Sequence, residues 1–115
     1  MGAKPIPAKN RAKVTERSGG ICEGCGLRPA AEVHHRQYLS RGGKHDVGNL
    51  IHLCGMGNVA SAGCHGIAHS SEGHELGWSV NSWDNPLHIP ALRRGSLVWL
   101  TNDGSTPAAD TEVPF

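Results

Sequence analysis

Aromatic residues are scarce in this 115-residue chain: one Phe, one Tyr and three Trp. Against them stand sixteen Gly and seven Pro. So small an apolar supply leaves a single domain near the lower limit of what hydrophobic burial stabilises, and such chains usually need a staple. Long hydrophobic runs are lacking too. No stretch approaches the roughly 20 apolar residues of a membrane span, so no membrane partner is expected. Met1 to Ala8 lacks the apolar core of a secretory signal, so a cytoplasmic protein with reduced thiols is expected. There is no internal repeat and no helix-turn-helix pattern for reading sequence.

Metal-binding residue types are plentiful. Four Cys and eight His occur in this short chain. In a reducing compartment Cys-x-x-Cys with distant partners reads as a metal site rather than as disulfides. Cys22 and Cys25 can reach one ion from a single turn, and Cys54 with Cys64 completes the four ligands of a tetrahedral structural zinc. Nine residues separate Cys54 from Cys64, more than the two to four typical of such pairs. The intervening residues are small, and they can loop out. Four thiolates leave no open position, so this ion contributes folding energy, not chemistry.

Net charge is +1 but unevenly spread. Residues 1–44 carry nine bases and three acids, whereas residues 45–115 carry two bases and seven acids. That polarity suits a basic face for a polyanion.

A helix is expected over Ala8 to Arg17, stopped at Ser18-Gly19-Gly20. Short strands are expected at Glu32 to Arg36 and Asn49 to Leu53, with a loop at Ser40 to Gly43 between them. A short helix should follow over Cys64 to Ser71. Trp78 to Val80 and Leu97 to Leu100 are expected to pair as two further strands. The three Trp are expected to form a satellite core beneath them.

The chemistry concentrates in His34-His35, Asn49 and His65-x-x-x-His69. Two His four apart on a helix project from one face and can grip one ion. A third imidazole from the His34-His35 pair would leave positions open for water and a phosphate oxygen, as a hydrolytic site requires. The other would be a general base, since imidazole titrates near neutrality. Spacing alone leaves open which does which, because successive strand residues point to opposite faces. Arg36, Arg41 and Lys44 flank this group and are candidate DNA contacts. Three imidazoles suit manganese, nickel or zinc better than magnesium, and the physiological metal stays open among these four.

Taken in order, the segments Arg17 to Gly26, Glu32-Val33-His34-His35-Arg36, Ser40-Arg41-Gly42-Gly43, Asn49 to Cys54 and Cys64-His65-x-x-x-His69 resemble the HNH endonuclease family. The resemblance covers about residues 14–70. It implies an α+β fold, a small zinc-stabilised ββα-metal unit with a short C-terminal β extension, and hydrolysis of DNA phosphodiester bonds. It makes His34, His65 and His69 ligands of one catalytic divalent metal, His35 the general base, and Asn49 the residue that ties the loop to the site and orients the base. Residues 11–75 would be the nuclease unit and 76–104 the extension. Residues 1–10 would be a flexible basic N-terminus and 105–115 a flexible tail. Small stand-alone members are frequently phage-encoded, which implies host bacterial cytoplasm, phage packaging proteins as partners and weak sequence preference; monomer and homodimer both remain open. The competing reading is a zinc-stabilised DNA-binding or packaging-assembly module without activity. A histidine-rich metal store is disfavoured by the ordered spacing.

Overall fold

In a computed structural model, residues 5–55 and 63–109 are described. The chain runs α1 (Ala8–Ser18), β1 (Glu32–His35), β2 (Leu50–Leu53), α2 (Gly63–Ala68), α3 (Ser71–Glu75), β3 (Ala91–Arg93) and β4 (Ser96–Val98), with three single 3-10 turns between them. The first hairpin followed by α2 makes the ββα arrangement, so the fold is α+β, as expected.

Pro7 precedes α1, and Gly19 ends it in the left-handed conformation while donating its N–H to the Thr15 carbonyl. Val14 on the inner face of α1 packs with Val47 and Leu50, with Ile6 and Val33 closing over them. Residues 8–10 are therefore helical and Ile6 is packed, which corrects the expectation of flexibility through residue 10. Residues 1–4 lie outside the described segments.

β1 and β2 pair antiparallel, with Glu32 opposite Leu53, His34 opposite Ile51 and His35 opposite Leu50. Leu50, Ile51 and Leu53 are fully buried. The main core joins Ile51 and Leu53 to three of the four cysteines and to Ala68, Trp78, Ala91, Val98 and Leu100. A cluster of thiols thus stands where a larger domain would place aromatic rings, which is how a chain so poor in aromatics fills its centre.

Trp78 to Val80 is not a strand. The second hairpin instead pairs Ala91 with Val98 and Arg93 with Ser96 around Arg94-Gly95. Both turn residues have positive φ, 53° and 87°, the geometry of a two-residue hairpin turn that matches strand twist. Glycine at the second position was the available signal. Trp78 packs in the main core, whereas Trp83 is 80% exposed, so the expected satellite core of three Trp does not form. Ala108 bridges to Val98, and Trp99 donates to the Pro107 carbonyl. The segment through residue 109 is therefore held, not a loose tail; residues 110–115 lie outside the described segments.

A buried ion network ties these pieces together. Both Glu23 oxygens accept from Arg17, at 2.7 and 2.8 Å, and Arg93 donates a third bond at 2.8 Å. Burial raises the Glu23 pKa, but the two guanidinium groups outweigh it and hold the carboxyl below its usual range. Arg17, one of the nine bases of residues 1–44, is committed to this network.

Candidate metal centres

Cys22, Cys25, Cys54 and Cys64 offer sulfurs that all lie within 4.8 Å of one another. Tetrahedral zinc at its usual bond length spaces thiolates about 3.8 Å apart, and the Cys25 and Cys54 sulfurs are 4.0 Å apart. Backbone N–H groups of Gly24 and Cys54 point at the Cys22 sulfur, each at 3.3 Å. Gly24 is required there, because a Cβ would lie 2.9 Å from the Trp78 ring and 3.0 Å from the Cys64 sulfur. Burial raises the Cys22 thiol, but these N–H bonds and its neighbours bring it down to about 7. Burial and the Cys22 sulfur push Cys64 upward. Four crowded sulfurs cannot ionise together unless a cation neutralises them. Of the nine-residue spacer expected to loop out, residues 56–62 lie outside the described segments.

A second group forms at the ββα junction. Ring nitrogens of His34, His65 and His69 lie within 4.8 Å of one another. His34 comes from β1, His65 from α2 and His69 from the turn just past its end. Hydrogen-bond partners fix the orientation of the first two rings. His34 Nε2 lies 2.8 Å from the Trp78 carbonyl, which can only accept, so Nε2 carries the hydrogen. His65 Nδ1 lies 2.9 Å from Glu32 Oε1, so in the neutral ring its hydrogen sits on Nδ1.

The consequence is a clash of lone pairs. His34 Nδ1 and His65 Nε2 face each other at 3.0 Å, and in neutral rings neither has a hydrogen to offer. His69 Nε2 adds a third nitrogen 3.3 Å from His65 Nε2. A proton can bridge two nitrogens, but a metal ion accounts for three, and imidazoles on a tetrahedral ion lie about 3.3 Å apart. Burial and then the neighbouring His65 hold His34 down to about 3, so the ring stays neutral with a lone pair to offer an ion. His69 is also lowered, by burial and by His65. Each ring has an outer partner on its other nitrogen: the Trp78 carbonyl, the Glu32 carboxylate and the Tyr38 hydroxyl, the last 3.0 Å from His69 Nδ1. Metal-bound histidines almost always have such partners. None of the three was read from the sequence. Glu32 two residues before His34, on the same strand face, was the one available signal.

His35 ends β1 and lines the same shallow cleft, of about 290 Å³, as the three rings and Tyr38. It stands at the end of the strand, where strict alternation of faces gives way. Its Nε2 is 3.0 Å from His45 Nδ1. Burial, then His45 and Arg11, lower its pKa. His45 therefore meets the cleft through His35. His52 instead bonds Ser18 Oγ at 2.8 Å, and His74 and His88 are exposed.

Asn49 sits in the 3-10 turn Val47–Asn49 rather than in β2. Its side chain is a staple: Oδ1 accepts from the Gln37 N–H at 2.7 Å, and Nδ2 donates to the Gln37 and Lys44 carbonyls at 3.0 and 2.8 Å. Both ends of the loop that follows His35 are closed by one residue.

Arg36 is corrected. It is fully buried and donates to the carbonyls of Gly77, Gly48, Pro86 and Ile89 at 2.8, 2.9, 3.0 and 2.6 Å. It does not face the cleft and cannot meet DNA. Arg41 and Lys44 are exposed, and the Arg41 guanidinium lies over the Tyr38 ring, 5.1 Å from its centroid.

Residues 22–61 match the HNH endonuclease family. No curated protein and no solved structure matches the chain. The class defined by the fold and site is thus a ββα domain with two candidate metal centres. Over residues 22–61 the chain is similar to the HNH endonuclease family. The matched segment stops before α2, so His65 and His69 join the site through the fold. No helix among the described residues is long and apolar enough to cross a membrane.

Proposed function

We propose that this chain is a metal-dependent endonuclease that hydrolyses DNA phosphodiester bonds. The observation that carries this reading is the meeting of three imidazole nitrogens, from segments far apart in sequence, in a cleft that also presents His35. A divalent ion held by His34, His65 and His69 would neutralise phosphate charge and stabilise the leaving oxygen. His35, its pKa lowered by burial and then by His45 and Arg11, takes the proton from the attacking water as its oxygen bonds to phosphorus and the bond to the leaving oxygen breaks. Asn49 fixes the loop behind His35, holding the base in place. Manganese, nickel, magnesium and zinc are the candidate ions, and the three-nitrogen donor set favours manganese, nickel and zinc over magnesium.

Zinc on Cys22, Cys25, Cys54 and Cys64 is structural in this reading. DNA is held through its phosphates by Arg41 and Lys44, contacts that set register without reading bases, so sequence preference is weak. A phage origin and packaging partners fit a small unit of this kind. The test uses supercoiled plasmid with manganese, with and without EDTA, alongside His35→Ala. Wild type should nick only with metal, and the variant should lose at least a hundredfold, the usual share of a general base. Equal nicking by the variant overturns the assigned base. No nicking by wild type leaves the inactive zinc-stabilised binding module.

A further inference from the structure

We propose that Tyr38 is a substrate contact: its hydroxyl donates a hydrogen bond to a non-bridging oxygen of the bound phosphodiester. This rests on the endonuclease reading and names a further residue for it. The starting point is a hydrogen count at His69. A histidine that offers Nε2 to an ion carries its hydrogen on Nδ1. Nδ1 of His69 lies 3.0 Å from the Tyr38 oxygen, so there the ring donates and the tyrosine accepts. The tyrosine's own hydrogen must then point elsewhere. Among the described residues the hydroxyl has no second partner, and this contact is exposed.

The direction left for that hydrogen is the cleft itself. Tyr38 lines it together with His34, His35, His65 and His69, the groups that would surround a reacting phosphate. The Arg41 guanidinium lies over the ring face, 5.1 Å from its centroid, and a cation on the ring makes its phenol a stronger donor and favours an anionic partner.

The chain has a single tyrosine, so a 13C label at tyrosine Cζ gives one resonance. With zinc at both centres, adding dimethyl phosphate should shift that resonance saturably. Tyr38→Phe removes only the hydroxyl. Its second-site zinc affinity, read by calorimetry, should stay within about threefold of wild type, because water can take the exposed His69 Nδ1 hydrogen. Its kcat/KM at saturating metal should fall roughly ten- to hundredfold, the worth of one charge-assisted hydrogen bond. A Cζ resonance unmoved by dimethyl phosphate, or activity fully restored by excess metal, overturns the proposal. If wild type fails to cut DNA while the resonance still shifts, the phosphate contact stands and the endonuclease reading falls.

Discussion

Replacing Arg36 with methionine keeps an unbranched apolar stem while removing the guanidinium and its donors. Four carbonyl oxygens then lose their partner. Those of Gly77 and Gly48 are bonded in fully buried positions, and those of Pro86 and Ile89 in partly buried ones. A buried acceptor left unsatisfied costs about 1–3 kcal/mol, and a water-accessible one much less. The expected destabilisation is therefore about 3–5 kcal/mol, a large part of the roughly 5–15 kcal/mol that holds a domain folded. Urea unfolding of the zinc-loaded protein, followed by tryptophan fluorescence, measures it. A phosphate contact makes the opposite prediction: stability unchanged, and the slope of DNA affinity against salt reduced by about one counterion. That result for Arg36→Met would refute the structural role. The reduced slope is instead expected for Arg41→Ala and Lys44→Ala.

Glu32→Gln should weaken metal binding at the histidine centre about tenfold or more, the usual cost of losing the carboxylate behind a ligand histidine. Calorimetry should show the cysteine zinc unaffected. His34 has a folded pKa of about 3 against an ordinary 6.5, so the unfolded chain binds more protons between those values. Its contribution is complete above pH 6.5 and is lost as pH falls toward 3, at about 1.4 kcal/mol per unit. With the histidine centre free of metal, stability should drop by about 2 kcal/mol from pH 7 to pH 5, and urea titrations of His34→Asn should lack that component. Cys25→Ser should release zinc and abolish the cooperative unfolding transition by circular dichroism, since a structural zinc site is folding energy.

The gathering of the cysteines and of the histidines into two groups was legible because a shared ion asks one atom of each side chain at a set spacing. Cys22-x-x-Cys25 and His65-x-x-x-His69 state their geometry in the sequence, and Asn49 was legible through its place in the order of motifs. Outer partners leave weaker traces. Trp78 serves His34 through a backbone carbonyl, so its residue type says nothing of the role. Tyr38 reaches His69 across 31 positions, a contact set by the path of a loop. Arg36 misled because a cation beside two histidines looks like a phosphate contact. Its position one residue past β1 turns it instead into a core of carbonyls contributed by residues 48–89. The second hairpin was misplaced onto Trp78 by strand propensity, where the turn at Arg94-Gly95 carried the better signal.

Anomalous scattering from crystals grown with zinc and then soaked in manganese tests the central claim most directly. Two separate ion positions are predicted: zinc among the sulfurs of Cys22, Cys25, Cys54 and Cys64, and manganese bounded by His34 Nδ1, His65 Nε2 and His69 Nε2. Manganese density absent from those three nitrogens, with the rings still gathered, would contradict the account.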